Sequence, residues 1–505
     1  MGTYVLEAFS VVLQPVNLLC LIAATFVGLM VGMLPGLTST MAVALLTGLS
    51  FGLPSQTALV ILISVYVGAI SGGCQSAILL NIPGTPASAS TALDGYPLGR
   101  QGKAGLAIFL ATSASFLGTV ISVALLMTVT PLLSTLALKF GTYEYFMLAL
   151  FGIIICGSIT SNGKPLRGWI SGILGLLVAM VGLDTISAYP RFSYGITKLN
   201  GGIQLIPVMI GLFGFPELLR MFDRGGKNQV SKMSKFNMRE GFSILGRNIV
   251  NVIRSALIGV GVGIIPGVGE DIGGWLSYWA LKSSTPAEKK ETYGTGNPDG
   301  IIACETGNNA CVGGALIPVL SLAVPGSSSA AVLLAAFQLH GYRPGPLLMT
   351  ETPALLYNLC IYMLVASFAM WALALLISKF TVRVLAVKRE ILMPIILALC
   401  VVGSFVVRNY MFDVQCMFVF GLVGFLMSKL EFPAAPFMLG IILGNMADSN
   451  LRRALSLSKG SLLPFITRPI CLVFALAVLG LILSQLGVFK KITKLIKKNK
   501  TQESN

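Results

Sequence analysis

Hydroxyl, amide and carboxyl side chains flank Pro-Gly steps at four places in this chain. Thr38, Ser39 and Thr40 follow Pro35-Gly36. Asn81 precedes Pro83-Gly84, and Thr85, Ser88, Ser90 and Thr91 follow it. Glu270 and Asp271 follow Pro266-Gly267, and Ser327, Ser328 and Ser329 follow Pro325-Gly326. Glu305, Asn308 and Asn309 lie upstream of that last step in CETGNNA. Neutral hydroxyls and amides can hold carboxylate oxygens or replace the water shell of a cation. Pro cannot donate a helical hydrogen bond and Gly tolerates positive φ, so each step ends or breaks a helix. The next helix then begins with free N–H groups that favour an anion. This is the chemistry of ion recognition, not of bond making. The sole histidine, His340, stands beside Gly341 and makes no catalytic constellation, so an enzyme is not expected.

The elements that position these groups are apolar helices. Of 505 residues, 55% are hydrophobic and 11% charged, whereas soluble domains carry about 25% charged residues. Runs at 104–129, 353–378 and 463–488 exceed the roughly 20 residues that cross a bilayer core as a helix. The fold class is all-α: a polytopic integral membrane protein with about 12 transmembrane helices. Short interrupted stretches at 38–53, 271–282 and 327–340 read as re-entrant or broken helices. A transmembrane barrel would show alternating strands instead. The N-terminus lacks a positive n-region, so the first apolar segment reads as a retained span.

The net charge of +16 is not a nucleic-acid footprint. Arg220, Arg224, Lys227, Lys232, Lys235, Arg239 and Arg247 crowd one loop, and Lys490, Lys491, Lys494, Lys497, Lys498 and Lys500 form a tail. Short basic segments beside spans stay on the cytoplasmic side, which places both the 222–250 loop and the C-terminus there. The nine cysteines form no C-x-x-C pair or Cys/His cluster, so neither a zinc site nor a disulfide framework is expected.

The chain repeats itself. GLMVGMLPG at 28–36 and GVGVGIIPG at 259–267 share G-x-x-x-G-x-x-P-G, 231 positions apart. GGCQSAILLNIPG at 72–84 and GALIPVLSLAVPG at 314–326 follow in the same order, each succeeded by Gly-Tyr, at 95–96 and 341–342. The expected organisation is a first membrane repeat at 1–221, a basic cytoplasmic linker at 222–250, a second repeat at 251–462, and an extra helix with basic tail at 463–505. Repeats of inverted topology would run the helix near 15–34 inward from a periplasmic N-terminus. Freed backbone groups in hydrocarbon cost several kcal/mol unless satisfied. Broken helices at membrane depth therefore line protein or water-filled cavities, as in transporters, where half-helix N-termini face anionic substrate near the midplane.

Substrate is accordingly expected between the two Pro-Gly pairs. The backbone N–H groups after Gly36, Gly84, Gly267 and Gly326 would hold it. Hydroxyls of Thr38, Ser39, Thr85, Ser327 and Ser328 and the amides of Asn308 and Asn309 would add contacts. An intramembrane acid is expensive and marks a functional place, so Glu305, with Asn81 and Asn309, is the candidate for coupling to a cation, Na+ or H+. No cofactor or further metal is expected. GSITSNGKP at 157–165 is not a P-loop, because five residues separate its glycines and Pro165 stands where Ser or Thr is required. With no nucleotide motif, an ion gradient is the expected energy source.

At this point GLMVGMLPGLTSTMAVALL, SAILLNIPGTPASASTALDGYPLGRQGKAG and ETGNNACVGGALIPVLSLAVPGSSSAAVLLAAFQLHGYRPGPLL carry a resemblance. The chain resembles the large membrane subunit of the tripartite tricarboxylate transporters over nearly its whole length. The resemblance implies a multi-pass protein of the bacterial inner membrane that imports di- or tricarboxylates on a cation gradient. It also implies two partners, a small four-helix membrane subunit and a periplasmic solute-binding protein. Two places depart from the family's usual pattern: Pro35-Gly36-Leu37-Thr38-Ser39 replaces PGLGP, and Glu270-Asp271 stands where small or apolar residues are usual. A single-component carboxylate symporter or exchanger would share the broken helices and need no partner.

Overall fold

The computed structural model describes residues 2–34, 37–161, 163–184, 186–216, 218–219, 237–378, 380–381 and 389–485. Pro35 and Gly36, much of the 222–250 loop and the lysine tail from Lys490 lie outside the described residues.

The principal helices are α1 (Pro15–Met33), α2 (Ser39–Ser50), α3 (Ser55–Leu80), α4 (Ala104–Ala137), α5 (Thr142–Thr160), α6 (Pro165–Ala179) and α7 (Leu205–Gly214). Then come α8 (Ile249–Ile264), α9 (Glu270–Ser284), α10 (Pro298–Leu322), α11 (Ser328–Leu339) and α12 (Pro353–Ile377). The last four are α13 (Arg389–Val406), α14 (Met411–Lys429), α15 (Ala434–Leu457) and α16 (Pro469–Gln485). Among the described residues, six helical stretches are long and apolar enough to cross a membrane: α1, α3, α4 with the turns before it, α5, α12 and α14. Met238–Arg247 and α8, bent by 68°, make a seventh candidate. This is an all-α membrane protein. The other helices either are short or, like α10 and α15, carry side chains such as Glu305, Asn309, Asp448 and Arg452 along their length.

Local sequence explains the helix ends. Pro15, Pro165, Pro298 and Pro353 open helices at a position where no N–H is needed. Asn81 and Ala323 close α3 and α10 in the left-handed conformation, with φ of 57° and 55°. A proline two residues later forbids continuation. Helices α1, α4, α12 and α16 carry no charged side chain and are apolar on all sides, as expected where one face meets protein and the other meets lipid. Leu19, Val250, Phe368 and Leu476 are among the large apolar side chains left exposed.

Two compact units emerge. The first comprises Met1–Leu138 and Gln204–Leu426. In it α1 packs on α3 and α8 packs on α10 with backbones in contact, because glycines face carbonyls. A Cβ on Gly28 would meet the Val65 carbonyl at 2.5 Å, and one on Gly72 the Leu29 carbonyl at 2.5 Å. Gly259 faces the Gly307 carbonyl, and a Cβ on Gly314 would meet the Val260 carbonyl at 2.7 Å. Such small-residue seams let membrane helices associate without a hydrophobic driving force.

The second unit comprises Lys139–Ile203 and the described residues from Met427 on. Here α6 packs on α15 through Gly172, Gly175 and Gly440. A two-stranded antiparallel ribbon, β1 (Gly182–Leu183) with β2 (Pro190–Arg191), pairs Gly182 with Arg191. Beside it Arg452 bridges Asp184 at 2.7 Å and Asp448 at 3.0 Å. Arg191 reaches Asp448 at 3.0 Å.

Candidate functional site

Three helices of the first unit begin at one place. Thr38 caps α2 by accepting from the Met41 N–H at 3.1 Å, and Ser327 caps α11 by accepting from the Ala330 N–H at 3.1 Å. Helix α9 begins at Glu270 itself. The Glu270 carboxyl, 4% exposed, accepts from Ser329 at 2.8 Å, from Tyr66 at 3.4 Å and from Ser39 at 3.5 Å. Ser39 and Thr40 lie 2.9 and 3.1 Å from the Ser329 hydroxyl, and Tyr66 lies 3.4 Å from that of Ser327. First turns of α2, α9 and α11 thus surround a single carboxyl. Each contributes the partial positive charge of a helix N-terminus, a setting that favours an anion.

The breaks themselves are tightly packed. Gly84 lies against the Gly32 carbonyl with Gly73 behind it, and Gly326 lies against the Gly263 carbonyl with Ala315 behind it. The Gly267 N–H donates to the Pro325 carbonyl at 3.3 Å, which ties the two second-half breaks together.

A second buried cluster lies on α10. Glu305 accepts from Thr91 at 2.5 Å, from Ser115 at 2.9 Å and from the Asn309 amide at 3.3 Å. The Asn309 amide also donates to Ser115 at 2.9 Å, and its oxygen accepts from Ser71 at 2.6 Å. Four segments, α3, α4, α10 and the turn after Pro86, meet around one acid and one amide. Among the described residues, no lysine or arginine pairs with Glu305 or Glu270, and no group of three or more His, Cys, Asp or Glu side chains could hold a metal ion.

The sequence-derived residues distribute as follows. Ser39 and Ser327 enter the Glu270 cluster, and Asn309 joins Glu305. Asn308 is fully buried, and neither atom of its amide has a partner among the described residues. Thr85 is buried and hydrogen-bonds Ser88 at 3.4 Å. Ser328 is half-buried in the first turn of α11. Asn81 is exposed and serves as the C-cap of α3. Gly36 lies outside the described residues.

The tripartite tricarboxylate transporter TctA family matches residues 18–439. The chain belongs to that family. Membership makes it a membrane subunit of tripartite transporters, systems that also contain a binding protein and a small membrane subunit. Two proteins of Agrobacterium vitis are similar to it. The "Uncharacterized 52.8 kDa protein in TAR-I ttuC' 3'region" is 32% identical over 462 residues, 92% of this chain and 91% of that protein. The "Uncharacterized protein in TAR-II ttuC' 3'region" is 32% identical over 222 residues, 44% of this chain and 88% of that protein. No solved structure matches.

Sequence reasoning missed Tyr66, Ser71 and Ser115, which look like packing residues of apolar helices. It saw Glu270 but gave it no role. A signal existed: counted from the repeated motifs, Tyr66 stands 242 positions before Asn308, and Ser39 stands 231 before Glu270.

Proposed function

We propose that this chain is the translocating subunit of a binding-protein-dependent importer of small organic anions, di- or tricarboxylates, driven by a Na+ or H+ gradient across the bacterial inner membrane. The carrying observation is the convergence of three helix N-termini with buried hydroxyls on one place between the Pro-Gly breaks. A carboxylate leaving water needs compensation. N-terminal dipoles and hydroxyls supply it without a lysine that would hold the anion too tightly for release. Thr38, Ser39, Thr85, Ser327, Ser328 and Asn308 are the substrate-side groups of this reading, beside the breaks at Gly36, Gly84, Gly267 and Gly326. Glu305 and Asn309 are the cation side, with Asn81 at the mouth of the α3 break.

Two inverted repeats fit this reading, and residue-level packing supports the repeated register. Gly28 faces Val65 as Gly259 faces Gly307, and Gly32 faces Ala69 as Gly263 faces Cys311. Gly84 meets the Gly32 carbonyl as Gly326 meets that of Gly263. Contacts across the halves are reciprocal too: α4 packs on α8 and α10, while α12 packs on α1 and α3. In this reading about twelve spans form repeats at 1–221 and 251–462, joined by a cytoplasmic linker, and 463–505 returns the tail to the cytoplasm.

The test is uptake of labelled di- and tricarboxylates into vesicles holding this chain with both partners, under imposed sodium or proton gradients. Accumulation that needs a gradient and the binding protein is expected. Full-rate transport by the purified chain alone would overturn the tripartite reading.

A further inference from the structure

The Glu270 cluster is not matched in kind by its counterpart in the other half. This inference rests on the proposed repeats. Under their register, Glu270 corresponds to Ser39, Ser327 to Thr85, and Tyr66 to Asn308. On the second-half side, Tyr66 reaches both Glu270 and Ser327, so a phenol and a carboxyl fill the space between the two breaks. The corresponding first-half groups are Ser39, Thr85 and Asn308; Ser39 and Asn308 are shorter than Glu270 and Tyr66, and none of the three is ionisable. Asn308 is buried with both amide atoms unpartnered among the described residues. A buried amide without partners is costly, and a ligand that supplies them removes the cost.

We propose that Glu270 is a built-in anion. It fills the place closed by Tyr66 and Ser327, and leaves the buried, unpartnered amide of Asn308, the counterpart of Tyr66, for a carboxylate of the substrate. Glu270 is then a specificity-determining residue. A dicarboxylate places one carboxylate against the Asn308 amide and leaves the other for compensation by the coupling cation. A tricarboxylate needs a further anion place, and Glu270 already holds it. Like charges in so dry a site repel strongly, so the chain selects dicarboxylates over tricarboxylates.

The experiment uses two compounds that differ by one carboxylate on the same carbon skeleton, glutarate and propane-1,2,3-tricarboxylate. Binding of each to the purified complex of this chain with its small membrane subunit is measured by calorimetric titration. The wild-type complex is expected to bind glutarate at least ten-fold more tightly. Glu270→Gln and Glu270→Ser should each shift that ratio ten-fold or more toward the tricarboxylate. Asn308→Ala should weaken glutarate about ten-fold and leave the ratio as in the wild type. A ratio unmoved by both Glu270 variants overturns the proposal, as does a wild-type preference for the tricarboxylate. Absence of binding by wild type and all variants overturns it as well. Gln keeps the size of Glu, so its result separates charge from folding. Vesicle uptake reads the transport function independently, so failure of this selectivity leaves that reading intact.

Discussion

The hydroxyl of Ser39 and the carboxyl of Glu270 meet at 3.5 Å although 231 residues separate them. Each opens the helix that follows a G-x-x-x-G-x-x-P-G break, α2 in one case and α9 in the other. In the proposed repeat these two are counterparts, and counterparts touch only near the axis that would relate the halves, where residue i contacts its own equivalent. The Glu270 cluster therefore sits where both halves contribute helix starts.

Hydrogen-bond lengths rank the donors to Glu270. Ser329 stands at 2.8 Å, inside the usual range, whereas Ser39 stands at its limit. Ser329→Ala should destabilise the purified protein by about 1.5–3 kcal/mol, the worth of a bond to a charged group, and Ser39→Ala by less than about 1 kcal/mol. Thermal midpoints in one detergent check the order. Equal losses would mean that Glu270 is not held mainly by Ser329.

Gly84 and Gly326 admit no side chain. A Cβ at either would strike a backbone carbonyl, of Gly32 or Gly263, on a helix already seated against its neighbour. Gly84→Ala and Gly326→Ala should each cost about 1–3 kcal/mol through overpacking, and Gly326→Leu should abolish uptake. Gly261→Ala is the control, because nothing lies within 4 Å of a Cβ there. Normal uptake and midpoint for Gly326→Ala would show that the break tolerates widening.

What could be read from the sequence was what covalent geometry dictates. Pro-Gly steps had to interrupt helices, and the short helices α2, α9 and α11 follow three of them. The membrane class followed from composition. The partners of the polar groups could not be read, because they come from α3 and α4, far away in sequence. Nothing local marks Ser115 as the donor to Glu305, or Tyr66 as the donor to Glu270. The role of the polar stretch at 283–300 was equally hidden, since a loop's anchor is a tertiary fact.

That anchor is Asp94. Its buried carboxyl accepts from the N–H groups of Gly294 at 2.8 Å, Gly296 at 3.0 Å and Asn297 at 2.8 Å, and from Tyr278 at 3.0 Å. Asp94→Ala strands three N–H groups and should free the loop. Trypsin should then cut after exposed Lys289 about ten-fold faster or more, given roughly 1.5–3 kcal/mol for each charged bond. An unchanged cleavage rate would mean that the loop is held by other contacts.

In the second unit, the Arg452 guanidinium beside Asp184, aided by the Ile186 N–H, holds that carboxyl well below the usual carboxylate range. A carboxyl with a lowered folded pKa stabilises above its unfolded pKa and loses that effect as pH falls through the folded one. The midpoint difference between wild type and Arg452→Gln should stay constant from about pH 8 to 5. It should shrink only below about pH 4, where an unfolded aspartate takes up its proton. A difference that vanishes between pH 7 and 5 would remove Asp184 as its source.

Glu305 offers the sharpest separation of coupling from architecture. The acid is fully buried, and its three donors, Thr91, Ser115 and Asn309, are all neutral. Neutral donors leave its charge uncompensated, and a buried uncompensated charge is costly. A bound cation or proton would remove that cost, which is why the acid suits a coupling role. Glu305→Gln keeps the volume and abolishes the charge. If Glu305 couples, gradient-driven accumulation should fall at least ten-fold, while exchange of labelled for unlabelled substrate without a gradient persists. Asn309→Ala should raise the cation concentration for half-maximal uptake by about ten-fold to a hundred-fold, the equivalent of one bond to a charged group. A structural acid behaves differently: its loss would lower the thermal midpoint and depress accumulation and exchange together. Paired measurement of the two fluxes, with protein levels in the membrane matched, decides between these outcomes. Parallel loss of both fluxes would remove Glu305 from the coupling path.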